Sequence, residues 1–228
     1  AFYITGKNVV INDLTILNGF YGYGSAINAN SNLTLNNVTF KNCFGDGEKS
    51  NYGAVYSYNI TLNVTNCKFI DNGGENGASI TSIISKVNVA NSTFYSSSWD
   101  IIKGHIFLEG SDLTVVNSNF LNTTSKYAAA IFSRNDGNLT ISNSKFKNLT
   151  ASKTAGAIGA KVISKMDISN CEFDNVSSEN NGGAIFVDVF GDGSVFRNDV
   201  IIKNTLFNNC YSGFGGAILQ LEGNLNIK

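Results

Sequence analysis

Proline is absent from all 228 residues, and histidine, tryptophan and methionine occur once each. A Pro-rich linker is thereby excluded, and 34 Asn with 23 Gly are far from the composition of a helical protein. Arginine occurs twice, at Arg134 and Arg197, and the net charge is -1, so there is no broad cationic field for nucleic acid or anionic lipid. No apolar run approaches the ~20 residues that a membrane-spanning helix needs, and no charged-then-apolar leader opens the chain. Direct membrane insertion is not expected of this segment, which reads as part of a longer chain whose address and anchor lie elsewhere. The four Cys form no CxxC pair and have no His cluster beside them, so neither a metal nor a cofactor is expected.

What the chain does have is 43% apolar residues, enough for a packed core, and they recur with a period. Phe40, Phe69, Phe94, Phe120, Phe146, Phe173 and Phe207 each follow an Asn by three residues, at Asn37, Asn66, Asn91, Asn117, Asn143, Asn170 and Asn204. Ile16 fills the Phe slot of an earlier copy. A second series, small-Ala-Ile in its commonest form, ends at Ile27, Val55, Ile80, Ile106, Ile131, Ile158, Ile185 and Ile218 and interleaves with the first. Self-similarity at a period near 26 residues is the signature of a solenoid, in which each unit buries its apolar edge only against its neighbours.

The local period decides between strand and helix. In "LTLNNVTF" and "LTISNSKF" apolar residues alternate before the Asn, as Leu33 and Leu35 or Leu139 and Ile141 do, which is strand periodicity. The Asn then marks a corner, because Asn readily takes the left-handed backbone conformation that a bend requires. Stacked copies are expected to form an Asn ladder, each side-chain amide bonding to the next. Three strands per unit make residues 1–228 one all-β domain: a right-handed parallel β-helix of about eight coils, rising ~4.8 Å per coil. The Cys fall at two repeat slots. Cys67 and Cys171 share theirs with Val38, Ser92, Ser118, Ser144 and Thr205, and read as small buried thiols; Cys43 and Cys210 lie too far from them in register for a disulfide.

Residues 170–186, "NCEFDNVSSENNGGAIF", resemble the GGAI and FxxN repeats of bacterial polymorphic outer-membrane proteins and, more closely, the Asn-rich adhesin-like proteins of methanogenic archaea. Strict FxxN survives at "FIDN", most copies having Asn or Ser two residues after Phe, a departure that favours the archaeal group. The resemblance implies a large secreted or surface-attached protein whose β-helix contacts polysaccharide, or a protein, of a host or partner cell. Nine Asn-x-Ser/Thr sequons, at Asn32, Asn37, Asn59, Asn63, Asn91, Asn122, Asn138, Asn148 and Asn175, fit a glycosylated surface protein.

Function is sought on the face opposite the Ile column. One residue after the Ile come Tyr56, Phe107, Phe132 and Phe186, which would form an aromatic stripe for stacking on sugar rings if exposed; the alternatives are that loops fold over the column or that it belongs to the core. Three residues after it come Tyr58, Glu109, Arg134, Lys161 and Asp188, and His105 replaces the usual Ala on the same face. Carboxylates and bases so placed are the raw material of a polysaccharide lyase or hydrolase, but the pairs Glu109 with Arg134 and Lys161 with Asp188 read equally as salt bridges between coils. Two long loops, residues 44–51 and 189–199, and the aromatic residues Trp99, Tyr21 and Tyr23 offer further contact surface. Asp46 and Asp192 lack the additional oxygen ligands of a calcium loop. The reading is a non-catalytic adhesin module. A polysaccharide-degrading enzyme and a plain spacer stalk are the alternatives, and open solenoid edges make end-to-end self-association the expected side effect.

Overall fold

The computed structural model describes residues 2–45, 52–96, 101–188 and 199–228. Among these residues the chain is all-β, without a helix. The expectations placed on Asp46, Trp99, Asp192 and most of the two long loops concern residues outside that set. Each coil contributes one strand to each of three parallel sheets, of nine, nine and eight strands among the described residues. The chain is a parallel β-solenoid.

Register follows the sequence repeat. Sheet A aligns Ile27, Val55, Ile80, Ile106, Ile131, Ile158, Ile185 and Ile218. Sheet B aligns the alternating strands before the Asn, for example Leu62, Val87, Leu113, Leu139, Met166 and Val200. Sheet C carries the seven Phe. The Phe rings stack inside the coil with centroids 4.5–5.0 Å apart and planes within 10° of parallel, because the strand spacing sets the separation of successive rings. Fully burying each ring contributes about 1.5–3 kcal/mol.

The Asn corners are left-handed as expected, with φ of 45–55° at all seven positions. Their side chains, however, point to solvent, and the expected amide ladder is absent there: the side-chain bond found at this column is Asn37 Nδ2 to Asp13 Oδ1, 2.7 Å. The corner is held instead by backbone, each Asn N–H donating to the carbonyl one coil on, as Asn117 does to Ser142 at 3.2 Å. The amide ladder belongs to a second corner two residues after Phe. There Asn122, Asn148 and Asn175 are again left-handed; Asn148 Nδ2 donates to Asn122 Oδ1 at 2.8 Å and Asn175 Nδ2 to Asn148 Oδ1 at 2.9 Å. This is the physical reason why the copies depart from FxxN.

The small-residue slot before Phe is polar as well as buried. Ser92, Ser118 and Ser144 each donate a hydroxyl hydrogen bond to the carbonyl two residues back and accept the N–H of the equivalent residue in the previous coil, at 2.8–3.2 Å. The ladder satisfies amides that the corner takes out of sheet pairing. All four Cys are free, and burial pushes each thiol above its ordinary range.

A third corner follows sheet A, at Asn59, Ile84, Gly110, Asn135 and Val162, with φ between 51° and 60°. Asn and Gly tolerate this conformation; β-branched Ile and Val do not. Ile84 is also mostly exposed, so little packing is lost with its side chain. Ile84→Asn is therefore expected to raise stability by about 1 kcal/mol, read as a higher thermal midpoint.

Both end coils expose apolar groups at positions that are buried one coil further in: Phe2, aligned with Ile27, at one end, and Leu225 and Ile227, aligned with Val200 and Ile202, at the other.

Candidate functional site

The register confirms both outward columns of sheet A. Tyr56, Thr81, Phe107, Phe132, Gly159, Phe186 and Leu219 stand in one, and Tyr58, Ile83, Glu109, Arg134, Lys161 and Asp188 in the other. The aromatic column is not an exposed stripe. Tyr56, Phe107, Phe132 and Phe186 are buried, at 8, 1, 7 and 6% exposure.

The cover comes from the turn that enters each sheet A strand. Gly77, Ala128, Ala155 and Gly182 take positive φ three residues before the Ile, and this brings the chain down onto the outward side chains. Phe107, Phe132 and Phe186 pack there with Ala128 and Ala155 in a second apolar cluster, outside the main core, against which Tyr127 and Leu219 rest. The approach is close enough to demand glycine: a Cβ on Gly182 would lie 3.0 Å from Phe186 Cα and 2.2 Å from Ile185 O. The small residues of the GGAI repeat thus serve the outer cluster as well as the turn.

His105 is likewise misplaced by simple alternation. It precedes the strand Ile106–Glu109, where the chain is still in the corner, and its ring lies inside, 5.7 Å from Phe94 and 6.5 Å from Phe120. It is wholly buried. Thr123 Oγ1 donates to Leu121 O, so it accepts from His105 Nε2 at 2.9 Å, which leaves Nδ1 to accept the Ser79 hydroxyl, also at 2.9 Å. Burial drives its pKa down to about 3, with Asp71 opposing weakly. A proton shuttle at the outer face is not what this histidine provides.

The charged row keeps its place. Arg134 Nη2 meets Glu109 Oε2 at 2.9 Å, and Asn135 Nδ2 donates to Glu109 Oε1 at 3.0 Å. Lys161 and Asp188 are register partners. Sequence reasoning missed Lys103, whose only signal is its place in the turn before His105. Its Nζ donates to Asn76 Oδ1 at 2.6 Å and lies 5.3 Å from the Phe107 ring centroid, while the Arg134 guanidinium lies 5.2 Å from the same centroid.

These groups frame a cleft of about 430 Å³. Phe132 and Phe186 form its floor, and Gly159, between them in register, is covered by Phe132, Ala128 and Ala155. Lys103, Tyr127, Thr154 and Asn181 make the wall on the turn side; Arg134, Lys161, Asp188 and Leu221 make the other. Five sequence-predicted residues, Phe132, Arg134, Lys161, Phe186 and Asp188, come together here. Tyr56 and Tyr58 lie towards the first coils. Tyr56 packs with Tyr23 and Tyr52 at centroid distances of 5.5 and 4.9 Å, and its hydroxyl is pushed up to about 12 by burial and then by the neighbouring tyrosines.

Fold and cleft together define a class, a parallel β-solenoid with a covered aromatic layer and a polar cleft on one sheet. No protein-family model, curated protein or solved structure matches the chain.

Proposed function

We propose that the chain is a non-catalytic attachment module of an extracellular, surface-anchored protein, of the adhesin-like kind found in methanogenic archaea, and that it holds a saccharide at the surface of a host or partner cell. The observation that carries the reading is the sheet A cleft, where aromatic rings and several hydrogen-bonding cations meet on a stiff surface. Aromatic faces with a few fixed polar groups are what sugar recognition uses. The repeat itself supports the resemblance on which the adhesin reading rests, and eight of the nine sequon Asn, all but Asn63, are exposed. Open end strands are where copies would pair end to end. Against an enzyme, the histidine is sealed in the core and Glu109 is tied to Arg134 and Asn135.

The test is to incubate the purified chain with a panel of cell-wall and host polysaccharides, measuring both protein retained and sugar fragments released. Retention without fragments is expected, weakened by Tyr127→Ser. Fragment release lost in Lys161→Gln would replace the reading with an enzyme, and no retention on any polymer would leave a spacer.

A further inference from the structure

The cleft has a sign. Lys103, Arg134 and Lys161 reach it from three successive coils, about 10 Å along the axis at ~4.8 Å per strand. Asp188 is the one carboxylate among its described lining residues, although the chain as a whole carries a net charge of -1. Two observations show cations held there at a cost. The Lys103 ammonium is pushed below its ordinary range by burial and then by Arg134, with Lys161 adding a smaller push, although Glu75 and Glu109 oppose it. Arg134 Nε is buried without a hydrogen-bond partner, even though Nη2 of the same group is engaged by Glu109.

A neutral sugar can accept hydrogen bonds from these groups but does nothing for the repulsion among them, whereas an anionic group stabilises the charged form of Lys103 and draws on Arg134 and Lys161 as well. Building on the attachment reading, we propose that the cleft selects acidic polysaccharide, seating the anionic substituent of a sugar among Lys103, Arg134 and Lys161. The sugar ring lies against the Tyr127 side of the cleft, over the Phe132 and Phe186 floor. Arg134 and Lys161 are register partners one coil apart on one wall, with Lys103 on the other, which suits a polymer running across the coils more than a single sugar.

The test compares polygalacturonate, its methyl-esterified form, dextran sulfate and dextran in binding assays with the whole chain. Polyanions are expected to bind at least about tenfold more tightly than their neutral counterparts, the preference fading as salt shortens the Debye length towards ~3 Å. The carboxylated and sulfated arms tell which anionic group is preferred. Lys161→Gln is expected to lose about tenfold for the polyanion and nothing for the neutral polymer, Lys161→Arg to retain binding, and Lys68→Gln, exposed on sheet C and away from the cleft, to change nothing. Equal binding of charged and neutral polymers, or an unaffected Lys161→Gln, would overturn the charge selection and leave attachment standing. Failure to bind any polymer of either kind would overturn both.

Discussion

Phe120→Ala is expected to destabilise the chain by roughly 3–5 kcal/mol, as for any ring of the Phe column that is stacked on both faces. Phe120 is wholly buried, with Phe94 at 4.6 Å and Phe146 at 5.0 Å on its two faces and the His105 ring at 6.5 Å. Removing it costs the transfer of the ring, a cavity that β-strands fixed by register cannot collapse around, and two stacking contacts worth about 0.5–1.5 kcal/mol each. Phe207 is partly exposed and has one stacked neighbour in the column, Phe173 at 4.9 Å, so Phe207→Ala should cost much less. Urea unfolding of the two variants checks the contrast. Equal losses would mean that the rings are not coupled coil to coil, against the nearest-neighbour picture of a solenoid.

The second large effect is acid sensitivity, and it comes from His105. In the unfolded chain the imidazole takes up a proton near its ordinary value of 6.5; in the folded chain it stays neutral down to about 3. Between those values the unfolded state binds one more proton than the folded state, so stability falls as pH falls, at roughly 1.4 kcal/mol per pH unit from this group alone. Above pH 6.5 the contribution is flat. His105→Ala restores the residue that most copies have at this slot, at the expense of a cavity and of the Ser79 and Thr123 hydrogen bonds. It should therefore be the less stable protein at neutral pH and lose stability more slowly on acidification. Denaturant midpoints for both proteins from pH 7 to pH 4 decide it: parallel acid limbs would show that His105 is not the titrating group.

The wholly buried histidine also shows where reading by alternation stops. Period-2 parity holds inside a strand, and it placed Phe107, Phe132, Arg134 and Lys161 on the correct face of sheet A. His105 lies one residue before its strand, in a corner, where parity has no meaning, and a side chain expected outside is inside. The Asn corners divide in the same way. That Asn37, Asn91 or Asn143 should bend the chain follows from the residue type; that their amides face solvent while Asn122, Asn148 and Asn175 build the ladder depends on how two different corners are oriented across coils.

Sequence alone determined the three-sheet solenoid, its register and its Phe stack, because a solenoid is held by contacts between equivalent positions one period apart, and a period is visible in a linear string. Burial of the aromatic column was decided only in three dimensions. Whether a turn of Gly and Ala clears an outward phenylalanine or lies on it depends on backbone direction over three or four residues, and positive φ at Ala128, Ala155 and Gly182 turns the chain onto it. The cleft is what that closure leaves open. Lys103, the lysine of its turn-side wall, comes from a turn position that the repeat does not specify, and only the packing of one coil's turn against the next coil's strand brings it to the same cleft as Arg134 and Lys161.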